Sequence, residues 1–398
     1  MQYRDTAEEA AFRKSVQALI TEHLPDELRH GQSLRASFDG RGWGRQRGPS
    51  WDGWRAELAN RGWIAPAWPE EYGGAGLSVM QQVIFNEEMT LARAPRIGGI
   101  GLGWAGPTIL LYGTDDQKTR FLPGILKGGD RWCQGFSEPG SGSDLASLQT
   151  RAVRDGDDYV INGQKIWTSG AQIADYCILL ARTDPDAPKH KGISYFLLDM
   201  KTPGVSVRPL VNMIGDADFN EVFFEDVRIS RDALLGEENR GWYIGTTTLD
   251  FERSNIAAST NLVLMVEELV AAVQDNAGLP YSPTERDTEL RYELADRVVE
   301  ANIARLMSYD VASRQSAGLA PNREASIAKL FSSELEQRIA ATGVRVLGLH
   351  GQLRSREAPL RGALSRMYLG AVSTTIGGGT SEIQRNIVAM RGIGLPRH

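Results

Sequence analysis

Gln134-Gly-Phe-Ser-Glu-Pro-Gly-Ser-Gly-Ser-Asp144 and, after it, Asn162-Gly-Gln-Lys-Ile-Trp-Thr-Ser-Gly170 decide the reading of this chain. The first piece packs small residues and hydroxyls into a tight loop, where backbone N–H groups can approach a flat polar ring edge. The second ends a β-rich run in an aromatic residue followed by hydroxyls and a glycine. Taken singly, residues 137–144 read as a Gly/Ser/Pro turn between strands. Trp167 taken singly reads as core. Their order and spacing carry the stronger meaning.

Outward from that pair the chain changes texture twice. Residues 1–128 read as helical, with apolar residues at three- and four-residue spacing over Ala7–His23, 54–60 and 79–92. Residues 30–53, rich in Gly, Arg and Ser, read as a long surface loop that contacts a partner or substrate. Residues 129–238 hold short β-rich runs at 159–161, 176–181, 193–198 and 221–224, divided by turns such as Arg154-Asp-Gly-Asp-Asp158. That pattern predicts an antiparallel β-barrel or sandwich. Residues 239–398 return to helical periodicity over 256–276, 287–317 and 322–348, long enough to pack as an antiparallel bundle. The expected class is α+β: helical domain, β domain, four-helix bundle.

Composition excludes several functions. The 398 residues carry a net charge of −6, so nothing draws the chain to nucleic acid or anionic membrane. No apolar run of about 18 residues is apparent, which predicts no membrane insertion. The N-terminus is polar and acidic, unlike a targeting peptide. Two cysteines, Cys133 and Cys177, rule out a disulfide framework and point to a reducing cytoplasm. The five histidines make no metal-ligand spacing with them.

Together the two opening motifs resemble the flavin-facing signatures of the acyl-CoA dehydrogenase family. Leu111-Tyr-Gly-Thr-Asp-Asp-Gln-Lys-Thr-Arg-Phe-Leu-Pro123 and Phe223-Phe-Glu-Asp-Val-Arg228 are also family-like, and the resemblance covers nearly the whole chain. It implies FAD as cofactor, with Gln134, Phe136, Ser137, Gly142 and Ser143 in its loop. By resemblance Phe136 and Ser137 bond the flavin pyrimidine edge, and Ser143 lies near the diphosphate and the acyl-CoA substrate. Trp167 matches the indole that covers the isoalloxazine, and Ser169 a hydroxyl residue near flavin N5. Aromatic cover keeps water off the reduced ring.

Many family members carry a glutamate in the loop matching Ile376-Gly-Gly-Gly-Thr-Ser-Glu-Ile-Gln-Arg385; this chain has Gly378 there. Leu249-Asp-Phe-Glu-Arg253 supplies an alternative. In the isovaleryl- and long-chain-specific branches the catalytic glutamate matches Glu252, and the loop position is small or non-acidic. Taken singly, Glu252 reads as a solvated helix carboxylate or a partner of Arg253. The resemblance instead implies that Glu252 takes the substrate α-proton while the β-hydride passes to flavin. The Gly378 N–H and a flavin ribityl hydroxyl would polarise the thioester carbonyl. Arg253 would orient helix and loop, Asp250 would lie near the pantetheine, and Gly377 and Gly379 would leave room for the acyl group. Thr380 and Glu382 match residues on the adenine side. The product would be a trans-2-enoyl-CoA, and the electrons would leave through an electron-transfer flavoprotein.

The match weakens at 279–289, where the family's Arg-x-x-Phe-Gly is missing. Either Arg286 or Arg345 takes over the flavin diphosphate, or a second, related chain completes the site. Homodimer, homotetramer and mixed tetramer all stay open. Rival readings are an oxidase, nitroalkane oxidase or monooxygenase on the same fold, and a scaffold subunit without catalysis. A scaffold needs none of Glu252, Trp167 and Ser169. The relocated base and small loop fit a branched or steroid-like acyl group.

Overall fold

The computed structural model describes residues 4–29, 48–95, 97–250, 256–275, 288–355 and 357–396. The chain divides into two compact units: Met1–Arg61 with Gly76–Arg96 and Ser254–His398, and Gly62–Ala75 with Ile97–Arg253.

The second unit is built on a seven-stranded sheet: β1 (Trp132–Gly135), β2 (Arg151–Asp155), β3 (Asp158–Lys165), β4 (Tyr176–Arg182), β5 (Ile193–Asp199), β6 (Val205–Leu210) and β7 (Phe219–Ser230). The order is β1-β4-β2-β3-β7-β6, with β5 on β4. Four pairings are antiparallel and two, β1 and β2 on β4, are parallel. Alternate residues of β4 enter two cores, as a period of two dictates. Ile178 and Leu180 join Phe121, Leu122 and Ile125 of helix α5 (Asp115–Lys127). Cys177, Leu179 and Ala181 join Tyr159, Ile161, Phe196, Val222 and Phe224, a cluster fed by strands from across the sheet, so the sheet curls around it. Burial on both faces explains why β4 reads as an unbroken apolar run and β5 as one broken only by the buried Ser194.

β1, β2 and β6 fall outside the β-rich runs read from the sequence, the last two for plain physical reasons. β2 is exposed except at Ala152 and lacks an apolar run. β6 carries Pro209, which only an edge strand tolerates, and β6 pairs with β7 alone. β1 and β2 lie end to end along one edge of β4: Gly135 opposes Leu179, and Arg151 opposes Arg182. Residues 136–150 therefore leave the sheet and return to the same edge, which puts the motif loop on its rim.

The first unit is helical. It holds α1 (Ala7–His23), α2 (Pro49–Ala59), α3 (Val79–Leu91), α7 (Ile256–Gln274), α8 (Thr288–Ser316), α9 (Asn322–Leu347), α10 (Ala363–Gly370) and α11 (Ser381–Ile387). α2 begins inside the stretch expected to be loop, because Pro49 after Gly48 is preset for a first helical turn. The rest of that loop, 30–47, lies outside the described residues. α7, α8, α9 and α10 share one core, with Leu262, Val266 and Leu269 facing Leu294, Ala301, Leu335, Ile339 and Leu364. One expectation is corrected here: α7, at 19 residues, is long and apolar enough to cross a membrane. Leu262, Val263, Met265, Val266, Leu269 and Val273 of α7 fill the bundle core, which accounts for its composition. The fully buried Glu87 of α3 receives Arg13 of α1 and Arg305 of α8, each at 2.7 Å, and the Tyr309 hydroxyl. This buried pairing joins three helices, and Asp5, Glu88 and Tyr309 beside Arg13 raise its guanidinium well above its ordinary value against the desolvation.

Candidate active site

Loop 136–150 is shaped by local bonds. Glu138 and Ser141 exchange backbone hydrogen bonds of 3.1 and 3.0 Å across Pro139-Gly140. Phe136 is buried edge-on against Tyr195, ring centres 5.9 Å apart. The Glu138 carboxylate accepts from the Gln149 N–H at 2.6 Å, the Thr150 N–H at 2.8 Å and the Lys165 ammonium at 2.8 Å. Lys165 also donates to the Phe136 carbonyl at 3.0 Å. Burial pushes Lys165 down to about 8, against the pull of Glu138. Burial also works to raise Glu138, but Lys165 and the two N–H donors hold it below the usual carboxylate range. Gln134 is half-buried in β1, while Gly142 and Ser143 are exposed. Asp144 beside them is paired with Lys189 at 2.8 Å.

The second motif leaves β3 in a turn. Trp167 adopts φ 60°, left-handed backbone that non-glycine residues rarely take. The residue is 59% exposed, its ring edge-on to Phe219. The turn is held by Thr168 N–H to the Asn220 carbonyl (3.0 Å), the Asn220 amide to the Thr168 carbonyl (2.9 Å) and Gly170 N–H to the Asp218 carbonyl (2.9 Å). The Ile166 N–H donates to the Ser137 carbonyl at 3.0 Å, so the two motifs meet. Ser169 is half-buried, and the Thr168 hydroxyl is buried with no hydrogen-bond partner among the described residues.

This rim fits a flavin on its own features: an outward indole in a constrained backbone, an unsatisfied buried hydroxyl beside it and a small-residue loop. A large exposed aromatic in a costly conformation calls for a flat partner.

Asp250 closes helix α6 (Gly241–Asp250). Glu252, Arg253 and Arg286 lie outside the described residues. In the other unit the 376–380 loop is pinned to α9. The Lys329 ammonium donates to the Gly379 carbonyl at 2.7 Å and the Thr374 carbonyl at 3.1 Å. The Gln384 amide donates to the Gly378 carbonyl at 3.0 Å. Gly378 and Gly379 have φ 65° and 87°, so the loop needs glycine for its backbone; at Gly378 a Cβ would meet nothing closer than 3.9 Å. Gly377 is exposed. Thr380 caps α11, accepting from the Ile383 N–H at 3.2 Å. Glu382 is exposed, and its own N–H and the Thr380 hydroxyl hold its carboxyl below the usual range. Arg345 is exposed on α9 and ion-paired with Glu293.

Sequence reasoning missed Glu138, Lys165, Thr168 and Lys329. A signal existed for Lys165: in β3 it falls on the inward parity with Tyr159 and Ile161.

The comparisons with known proteins agree along the chain. Residues 6–129, 133–227 and 239–393 match the N-terminal, middle and C-terminal domain models of acyl-CoA dehydrogenase. Acyl-CoA dehydrogenase FadE26 of Mycobacterium tuberculosis is 40% identical over 351 residues, 86% of this chain and 87% of that one. Acyl-CoA dehydrogenase IpdE1 of the same organism is 38% identical over 348 residues, 86% of this chain and 88% of that one. Among solved structures, the Tcur3481-Tcur3483 steroid ACAD superimposes with TM-score 0.82 at 33% identity, covering all of both chains. The ChsE4-ChsE5 complex of Mycobacterium tuberculosis superimposes with TM-score 0.81 at 36% identity, again over all of both chains. The chain belongs to the acyl-CoA dehydrogenase family, FAD-dependent oxidoreductases that act on acyl-CoA.

Proposed function

We propose that this chain converts a bulky, steroid-like acyl-CoA to its trans-2-enoyl-CoA, with Glu252 as the base that takes the α-proton. One observation carries the cofactor side: Trp167, outward at φ 60°, is tied through the Ile166 N–H to Ser137. Phe136, Ser137, Gly142, Ser143 and Ser169, with Gln134 behind them, hold the flavin, and Trp167 covers its ring. Bound FAD supplies the hydride acceptor. Gly378 offers its N–H to the thioester oxygen, which acidifies the α-carbon. A carboxylate enclosed beside an acyl chain has a raised pKa suited to proton abstraction. Arg253 orients it, Asp250 lies along the pantetheine, and Gly377 and Gly379 leave room for the acyl group. Thr380 and Glu382 serve the adenine side. The steroid-like substrate is supported by the likeness to a solved steroid ACAD. The proposed acceptor of the electrons is an electron-transfer flavoprotein, and the proposed location is the cytoplasm, where the free thiols of Cys133 and Cys177 are at home.

Arg345 favours a mixed assembly over a homomeric one. It is engaged by Glu293 and would have to leave it to serve a diphosphate. In a mixed assembly a second, related chain would supply the diphosphate cation instead, and one solved relative is a complex of two differently named chains. The test is FAD per polypeptide in the chain purified alone and with a co-expressed neighbour. Full FAD only with the neighbour supports the mixed assembly. Full FAD in the chain alone overturns it and returns Arg345 and Arg286 as candidate ligands. No FAD in either sinks the flavin reading.

A further inference from the structure

Lys165 and Glu138 form a buried ion pair that the proposed reaction does not use directly. The Lys165 side chain is fully enclosed and that of Glu138 is 7% exposed. Through its carboxylate Glu138 grips Gln149 and Thr150 at the far end of the loop, and through its ammonium Lys165 grips Phe136 at the near end. Removing two charges from water is costly, and apolar side chains of the same volume often hold a fold at least as well. What apolar packing cannot do is aim a peptide. In a trans peptide the carbonyl and the following N–H point opposite ways. With the Phe136 carbonyl bound to the buried ammonium, the Ser137 N–H is turned away from it. The Ser137 carbonyl is bound in turn to the Ile166 N–H, one residue before Trp167. Both faces of Ser137 are thereby fixed.

We propose that Lys165 and Glu138 are positioning residues that aim the Ser137 N–H at the flavin and set its distance from Trp167. This rests on the flavin reading above. The pair acts through the 136–137 peptide and touches no reacting atom.

The test compares FAD-loaded wild type with Glu138→Gln, Lys165→Met, the double variant and Glu138→Asp. The readouts are the FAD dissociation constant on reconstitution, the shape of the visible flavin band and the melting of the apoprotein. The double variant replaces the pair by uncharged side chains of similar volume and melts near wild type. It binds FAD about tenfold or more weakly, since a misaimed donor is costly, and its band moves toward that of free flavin. Glu138→Asp keeps the charge, shortens the reach and shows a smaller change of the same sign. A double variant with wild-type FAD affinity and band overturns the proposal. If the double variant fails to fold, wild-type affinity and band in Glu138→Asp overturn it. Wild type that takes up no FAD, alone or with a neighbour, removes the flavin reading and this proposal with it.

Discussion

The Lys329 ammonium lies 2.7 Å from the Gly379 carbonyl and 3.1 Å from that of Thr374, so one side chain of α9 holds both sides of the glycine loop. Three consecutive glycines leave that loop with large conformational freedom to lose. Lys329→Met removes the clamp. The expected result is kcat/KM down about tenfold or more through a misplaced Gly378 N–H, with bound FAD unchanged, read by steady-state kinetics with an artificial acceptor. Unchanged kcat/KM would make the clamp irrelevant to turnover.

Trp167 is the reverse case, an aromatic whose removal leaves the fold nearly intact. With the residue 59% exposed, Trp167→Ala changes unfolding free energy by about 1 kcal/mol or less. If Trp167 covers the flavin as proposed, oxygen reoxidises the reduced variant faster than wild type. Stopped-flow reoxidation by air decides this, and a rate equal to wild type counts against the placement.

Glu87 ties α3 to α1 and α8 through its carboxylate. Glu87→Ala leaves Arg13 and Arg305 short of a buried partner, a loss of about 3 kcal/mol. Chemical denaturation measures it. A loss below about 1 kcal/mol would mean that Asp5 and Glu88 satisfy Arg13 without it.

Lys165 makes two pH effects run in opposite directions. Its folded value, about 8, lies below that of an unfolded lysine. The unfolded chain therefore binds more protons above pH 8, and this group's contribution to stability rises with pH there. The groups that face it are Glu138 on the loop and Cys177 and Arg182 on β4. Loss of its proton weakens the grip on Phe136 and Glu138, so FAD retention falls as pH passes about 8. Melting and FAD release followed together through that range test the pair. FAD retention flat in pH contradicts it.

Legibility followed burial. β4 and β5 are legible because both faces are covered and each run is almost wholly apolar. β2 and β6 are not, since one is mostly exposed and the other is an edge strand with a proline. The loop and turn motifs were visible as composition, but their meeting through Ile166 and Ser137 depends on β1 and β2 sharing one edge of β4, a pairing that local sequence does not encode. Lys165 is not legible as a buried residue because a lone lysine in a polar stretch suggests a solvated face; its neutralising Glu138 lies on another segment. The engagement of Arg345 by Glu293 likewise joins two helices distant in sequence.

The proposed role of Glu252 as base is put to anaerobic titration of FAD-loaded Glu252→Gln with steroid-like acyl-CoA thioesters. Wild type is expected to bleach its visible flavin band on adding substrate. Glu252→Gln is expected to keep its FAD, bind the same thioester and stay unbleached. Bleaching of Glu252→Gln at the wild-type rate would exclude Glu252 as the base and move that role elsewhere in the chain.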